Sequence, residues 1–202
     1  MITIHEMREL ENNCGIPKLT LMENAGRAVY QILKERMDLK NKKILIVCYH
    51  GNNGGDGFVA AKYLCEESDV TVLFIGDEAR LKEESKINYK KIIKNELIQF
   101  LTNVEDVDFN DFDIIIDAIL GTGVIGKLKE PIAAIIDNIN NSNAFKLSVD
   151  IPTGIDPDKG IVIDKMVNAD LIISFHDIKA GLSGLKDKVV VADIGIPKQK
   201  GL

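Results

Sequence analysis

Lys43-Ile44-Leu45-Ile46-Val47-Cys48, then Tyr49-His50, then Gly51-Asn52-Asn53-Gly54-Gly55-Asp56-Gly57, then Phe58-Val59-Ala60-Ala61-Lys62-Tyr63-Leu64: read in turn, these are a strand, a glycine-rich loop and a helix. A run of strand-formers that is apolar from Ile44 to Cys48 suits a strand buried on both faces. The glycines can take φ > 0 and let a ligand approach the backbone. The N–H groups of the following helix's first turn, and its partial positive charge, then face that ligand. Asn52, Asn53 and Asp56 add groups that bind sugar hydroxyls or a cation. A tight strand-to-helix turn needs one Gly or Asn; four glycines and three polar residues in seven positions point to a ligand site.

Outward from that stretch the same alternation repeats. Val70 to Ile75 reads as a second strand, Leu97 to Leu101 as a short third, and Asp113 to Leu120 as a strongly buried one. Phe145 to Asp150, Leu171 to Phe175 and Lys188 to Ala192 follow. Helices are expected from about Gly55 to Glu67, from about Glu78 to Lys94 with Leu81, Ile87, Ile92 and Ile93 inward, and from Glu130-Pro131 with proline at the first helical position. In the last, Ile132, Ile135, Ile136 and Ile139 face inward. Before the first strand, two capping boxes mark helix starts, Thr3 with Glu6 and Thr20 with Glu23. The second helix runs to about Met37, and Gly26 within it predicts close packing. Asn24 either bonds a neighbouring loop or faces a ligand. Strands alternating with helices make an α/β fold, a three-layer αβα Rossmann-like sandwich with a mostly parallel central sheet. The last strands lack full helices between them, which leaves the C-terminal edge open to mixing. Residues 1–202 read as a single domain.

Composition bounds the partners. The chain is 46% apolar and 28% charged, with a net charge of −6, which argues against broad nucleic-acid binding. Three widely spaced cysteines suggest neither a disulfide framework nor a zinc site, and Cys48 and Cys65 read as reduced core residues. No apolar run approaches the ~18 residues of a membrane span, and the N-terminus lacks a signal-peptide pattern. A cytoplasmic protein with no membrane partner is expected.

Chemistry collects in three loops after strands: His50 to Asp56, Asp117 to Gly126, and Asp150 to Asp158. In an open parallel sheet all three lie on the carboxyl edge, where ligands bind. Gly121-Thr122-Gly123-Val124-Ile125-Gly126 fits the dinucleotide fingerprint, but Lys127 to Glu130 intervene before the helix, and the strand before it is not the first. An ordinary NAD oxidoreductase is therefore disfavoured, and a loop covering a ligand is the better use of those glycines.

With these pieces in place the chain resembles the YjeF N-terminal domain family, the NAD(P)H-hydrate epimerases. The resemblance rests on Gly15-Ile16-Pro17 through Leu21-Met22-Glu23-Asn24-Ala25-Gly26, on Gly51 to Gly57, on Asp117-Ala118-Ile119-Leu120-Gly121-Thr122-Gly123, on Asp150-Ile151-Pro152-Thr153-Gly154-Ile155-Asp156, and on Ala192-Asp193-Ile194-Gly195-Ile196-Pro197. It implies an isomerase of nicotinamide nucleotide repair, interconverting the R and S forms of NADHX or NADPHX, whose C6 carries a hydroxyl. It also implies a homodimer and a partner dehydratase that uses the S form, possibly fused in the native gene. By resemblance, K+ would be held by Asn53, Asp117 and Thr153. Substrate would contact Asn52, Asn53, Gly54, Gly55, Asp56, Gly121, Thr122, Gly123, Val124, Ile125, Gly126, Lys127 and Asp150.

C6 is a hemiaminal-type carbon that inverts through ring opening or loss of hydroxide, and either route needs a proton acceptor and donor. Asp117 and Asp150 are the candidates. A cation on Asp117 would make it the poorer acid, which favours Asp150. Three departures stand out. Tyr49-His50 replaces the family's Gly-Pro, so His50 either packs on the loop or contacts substrate. Thr153 replaces a serine. Ile178-Lys179 replaces Pro-Lys, which puts a role for Lys179 in doubt. The alternative reading is a non-catalytic dimeric scaffold or RNA-associated module. Met7, Leu10 and Leu21 on the N-terminal helices are the surface expected for a partner copy.

Overall fold

The computed structural model describes residues 1–122, 127–162 and 164–197. Helices α1 (Ile4–Asn13) and α2 (Lys18–Arg36) precede an alternating unit. That unit runs β1 (Lys43–Cys48), α3 (Asn52–Leu64), β2 (Asp69–Phe74), α4 (Glu83–Ile92), β3 (Ile98–Leu101), β4 (Ile114–Ala118), α5 (Ile132–Asn141), β5 (Phe145–Val149), β6 (Leu171–Phe175) and β7 (Val189–Ala192). The seven strands form one sheet in the order β3-β2-β1-β4-β5-β6-β7. Every pairing is parallel.

Alternation along each strand builds the three layers. From β1, Ile44, Ile46 and Cys48 join a core with Val29 and Leu33 of α2 and Phe58 of α3. Leu45 and Val47 point the other way, into a core with Ile135, Ile136 and Ile139 of α5. The chain leaves β1 toward β2 and β3, then crosses back to place β4 on β1's other side. The direction of winding therefore reverses between β1 and β4, and a crevice opens beyond their carboxyl ends.

The expected mixing at the C-terminal edge does not occur. A 3-10 segment, Ala180–Lys188, carries the chain back along the sheet, and β7 pairs parallel to β6. The Thr3–Glu6 capping box forms as read. The Thr20–Glu23 box does not: α2 starts at Lys18 behind Pro17, whose fixed φ presets the turn. Glu23 instead pairs with Lys62 and Tyr63 on α3. Pro131 caps α5 rather than opening it. The segment from Glu78 divides into a 3-10 turn and α4. Its inward residues are Ser85, Asn88, Tyr89 and Ile92, while Ile87 and Ile93 are exposed. Met7 and Leu21 are buried in the protomer's own core, so they are not free to form a partner surface, and Leu10 packs against the same core.

Other readings hold at their residues. A Cβ on Gly26 would lie 2.4 Å from the Val59 Cβ, so α2 and α3 meet closely there. Asn24 donates to the Ile194 carbonyl at 2.8 Å. Cys48 and Cys65 are buried free thiols. Among the described residues no helix is long and apolar enough to cross a membrane.

Candidate functional site

The glycine run is not a loop before a helix; it is the helix. Gly51 is the N-cap of α3 and Asn52 its first residue. None of the run's glycines has a positive φ. They are needed for space instead. A Cβ on Gly54 would sit 1.8 Å from the Tyr49 carbonyl oxygen, and one on Gly57 2.6 Å from the Ala118 Cβ. Packing this close drives the first turn of α3 into the crevice between β1 and β4. Its leading N–H groups are left without helical partners, where an anion can take them. Gly51's carbonyl accepts a bond from Ser85 Oγ of α4 at 3.1 Å, which fixes that end.

A cavity of about 360 Å³ opens there. Asn52, Asn53, Asp56, Gly121, Thr122 and Asp150 line it, joined by Arg8 and Glu11 of α1 and by Lys18 and Lys82. Gly54 and Gly55 are buried behind that wall. Lys127 is exposed and stands apart from the lining. Gly123, Val124, Ile125 and Gly126 lie outside the described residues. A larger, more open groove of about 690 Å³ runs past Met1, Leu10, His176 and Val191. We place the site at the smaller cavity, because the helix end and the strand-end carboxylate meet there.

Beneath the cavity floor, Asp117 closes β4 and is 1% exposed. Four donors converge on its carboxylate: Thr153 N–H at 2.8 Å, Thr153 Oγ1 at 2.6 Å, Ser148 Oγ at 2.8 Å and Ile119 N–H at 3.2 Å. Burial raises its pKa from the ordinary carboxylate value, and these bonds oppose the rise. Thr153 also accepts from Leu120 N–H at 3.0 Å. The next residue, Gly121, stands against the Asn53 side chain, where an added Cβ would meet Asn53 Cγ at 3.4 Å. Asn53 is buried, and among the described residues neither its Oδ1 nor its Nδ2 has a hydrogen-bond partner. An orphaned buried amide costs about 1–3 kcal/mol. A carbonyl oxygen, a carboxylate and a hydroxyl gathered around one strand end are the hard oxygen donors an alkali cation takes. Asn53, Asp117 and Thr153 are donors of the type a K+ ion takes, with Leu120 and Gly121 linking Thr153 to Asn53.

Asp150 follows β5 with φ +63°, a left-handed conformation that Asp tolerates better than most residues. Its Oδ1 accepts from Phe175 N–H at 3.2 Å and from the Lys179 ammonium. Lys179 is fully buried and also donates to the Phe175 carbonyl at 2.7 Å. Asp56, partly exposed on the cavity wall, has its carboxyl pushed well above the usual range, first by burial and then by Asp150 and Glu11. Burial, then Asp150, pushes Glu11 up as well. His50 packs rather than reaching the cavity lining: its ring lies 3.8 Å from that of Tyr49, and its Nδ1 accepts from Asp77 N–H at 3.3 Å. Sequence reading missed Arg8, Glu11 and Lys18, because α1 and α2 looked like outlying helices, and Lys82, which caps α4, because it stood in a charged run read as a solvated face. It left Lys179 undecided, because no periodicity marks a lone buried lysine.

The family model described as YjeF-related protein N-terminus matches residues 18–181. A NAD(P)H-hydrate epimerase from Nitrosopumilus maritimus is 36% identical over 98% of this chain and 96% of its own length. A bifunctional NAD(P)H-hydrate repair enzyme Nnr from Methanothermobacter thermautotrophicus is 40% identical over 91% of this chain, which spans only 37% of that relative. The solved yeast protein ynu0 superposes with a TM-score of 0.83 at 23% identity, covering 95% of this chain and 86% of its own, a likeness of fold.

Proposed function

The chain belongs to the YjeF-related N-terminal family, and from that membership we propose that it is a NAD(P)H-hydrate epimerase, interconverting the R and S forms of NADHX or NADPHX. The observation that carries the reading is the meeting of α3's amino end, the Asn53 amide and the Asp150 carboxylate at one cavity. The near full-length likeness to relatives named for this activity supports it. The open first turn of α3, flanked by Lys18, Lys82 and Arg8, suits the pyrophosphate of a dinucleotide. Asn53, Asp117 and Thr153 would hold K+, whose charge would offset that of the bound phosphates.

Inversion at C6 proceeds by ring opening or by loss of hydroxide, and both need a group that takes a proton and one that gives it back. Asp150 is our acceptor. Its carboxylate lines the cavity, whereas Asp117 spends its oxygens on four donors. Asp56, with its carboxyl pushed upward, is our donor. The protein would work beside a dehydratase specific for the S form, and two relatives that it covers in part are named as bifunctional repair enzymes. We propose a homodimer as the assembly, on family likeness alone. Light scattering should give about twice 22.3 kDa, and a single-chain mass would remove it.

The test is a coupled one. Given the R form with an S-specific dehydratase, the protein should let all of the hydrate be restored to reduced cofactor. R form that disappears no faster than in a protein-free control would sink the reading.

A further inference from the structure

We propose that Lys179 is the positioning residue of the site: its buried ammonium fixes which oxygen of Asp150 faces the cavity. The inference rests on the reading of Asp150 as the proton acceptor. Lysine is rarely buried whole unless something compensates it, and Lys179 is 0% exposed. Removing an ammonium from water is expensive, and a pair kept only for stability is often replaceable by packed apolar residues. Here one end of the pair is a cavity wall. Lys179 reaches Asp150 Oδ1, and Phe175 N–H donates to the same oxygen. Both hydrogen bonds found on this carboxylate among the described residues thus fall on Oδ1, which leaves Oδ2 for the cavity that Asp150 lines. The Phe175 carbonyl holds a second ammonium proton and so fixes the lysine's own angle.

The backbone carrying the lysine is also held. Lys179 forms a parallel bridge with Ile2. Ile2 N–H donates to the Ile178 carbonyl at 2.9 Å, and Ala180 N–H donates to the Ile2 carbonyl at 2.9 Å. The segment before α1 thus anchors the lysine, and α1 itself forms part of the cavity wall. Isoleucine at 178 leaves this intact, because the bridge uses that residue's carbonyl. Asp56 and Glu11 face the same cavity. Of these three carboxylates, only Asp150 is paired with a fully buried cation among the described residues.

The experiment compares Lys179→Arg and Lys179→Met with wild type for kcat and KM on R-NADPHX, for melting temperature, and for binding of NADPH as an unreactive stand-in. Misplacing a reacting group by about 1 Å can cost about 10²-fold. The methionine variant should therefore lose about 10²-fold in kcat, with KM and NADPH affinity within about twofold. Arginine keeps the charge but presents a planar fork, so its kcat should fall between the two. If the methionine variant does not fold, the arginine variant decides: lower kcat at unchanged KM and melting temperature supports the proposal, and wild-type kcat overturns it. A rise in KM at unchanged kcat also overturns it, since that is a binding role. If wild type itself does not exceed the spontaneous rate, the epimerase reading falls and takes this proposal with it. Active wild type with indifferent Lys179 variants removes this proposal alone.

Discussion

Two aspartates close neighbouring strands and meet different surroundings. Asp117 is sealed under four donors; Asp150 stands at the cavity wall with one oxygen pinned. Asp150→Asn should therefore lose about 10²–10⁴-fold in kcat, and it should also melt lower than wild type, because it leaves the buried Lys179 ammonium without its charge partner. Wild-type turnover by that variant would move the acceptor elsewhere. Asp56 gives a pH prediction. Its folded pKa is raised, so the unfolded chain releases its proton first as pH rises above about 4. From there up to the folded pKa the native state holds more protons, and stability falls with rising pH. Urea unfolding from about pH 5 to pH 8 should show a shallower decline for Asp56→Asn than for wild type; parallel slopes would count against a raised Asp56 pKa. Asn53, Asp117 and Asp150 could be read from the sequence as site candidates, because two strand-end aspartates stand beside a glycine run, whereas Thr153 came only from the family resemblance. Lys179 gained its place only from the turn at Phe175 that folds it back on Asp150, a contact between residues 29 apart in sequence.

At the scale of elements, strands were the most legible, since β1, β2, β4, β5 and β6 are short and mostly apolar, and their inner residues are buried on both faces. Helix α3 was misplaced at its start by three residues. Glycine's poor intrinsic propensity argued for a loop there, and tertiary packing overrode it: the turn must lie against Tyr49, Cys48 and Ala118, where only hydrogen fits. The inner face of α4 was only partly readable for the same reason. It mixes Tyr89 and Ile92 with Ser85, which bonds Gly51's carbonyl, and Asn88, which reaches Met22 and the Glu84 carbonyl, so apolar spacing held for Leu81 and Ile92 but misplaced Ile87 and Ile93. A direct check follows. Gly54→Ala should cost about 3 kcal/mol, the upper end of overpacking. Gly51→Ala, whose Cβ meets nothing within 4 Å, should stay within about 1 kcal/mol. Equal losses in denaturant titrations would refute the close-approach account.

The whole molecule joins two N-terminal helices to a doubly wound sheet, and the helices complete the cavity that the sheet's reversal opens. An ion that binds only the folded protein raises its melting temperature by mass action. Wild type should therefore melt higher in potassium than in a bulkier, non-coordinating cation at equal ionic strength. Asp117→Asn should lose that difference, and a difference that survives the substitution would place the ion elsewhere. The most direct measurement is of the reaction itself. Purified protein in potassium buffer is given R-NADPHX alone, and the two epimers are followed by chromatography with the spontaneous rate subtracted. The account predicts approach to a mixture of R and S forms well ahead of the protein-free control, with no added redox cofactor. Conversion at the spontaneous rate would contradict it and leave the scaffold reading in its place.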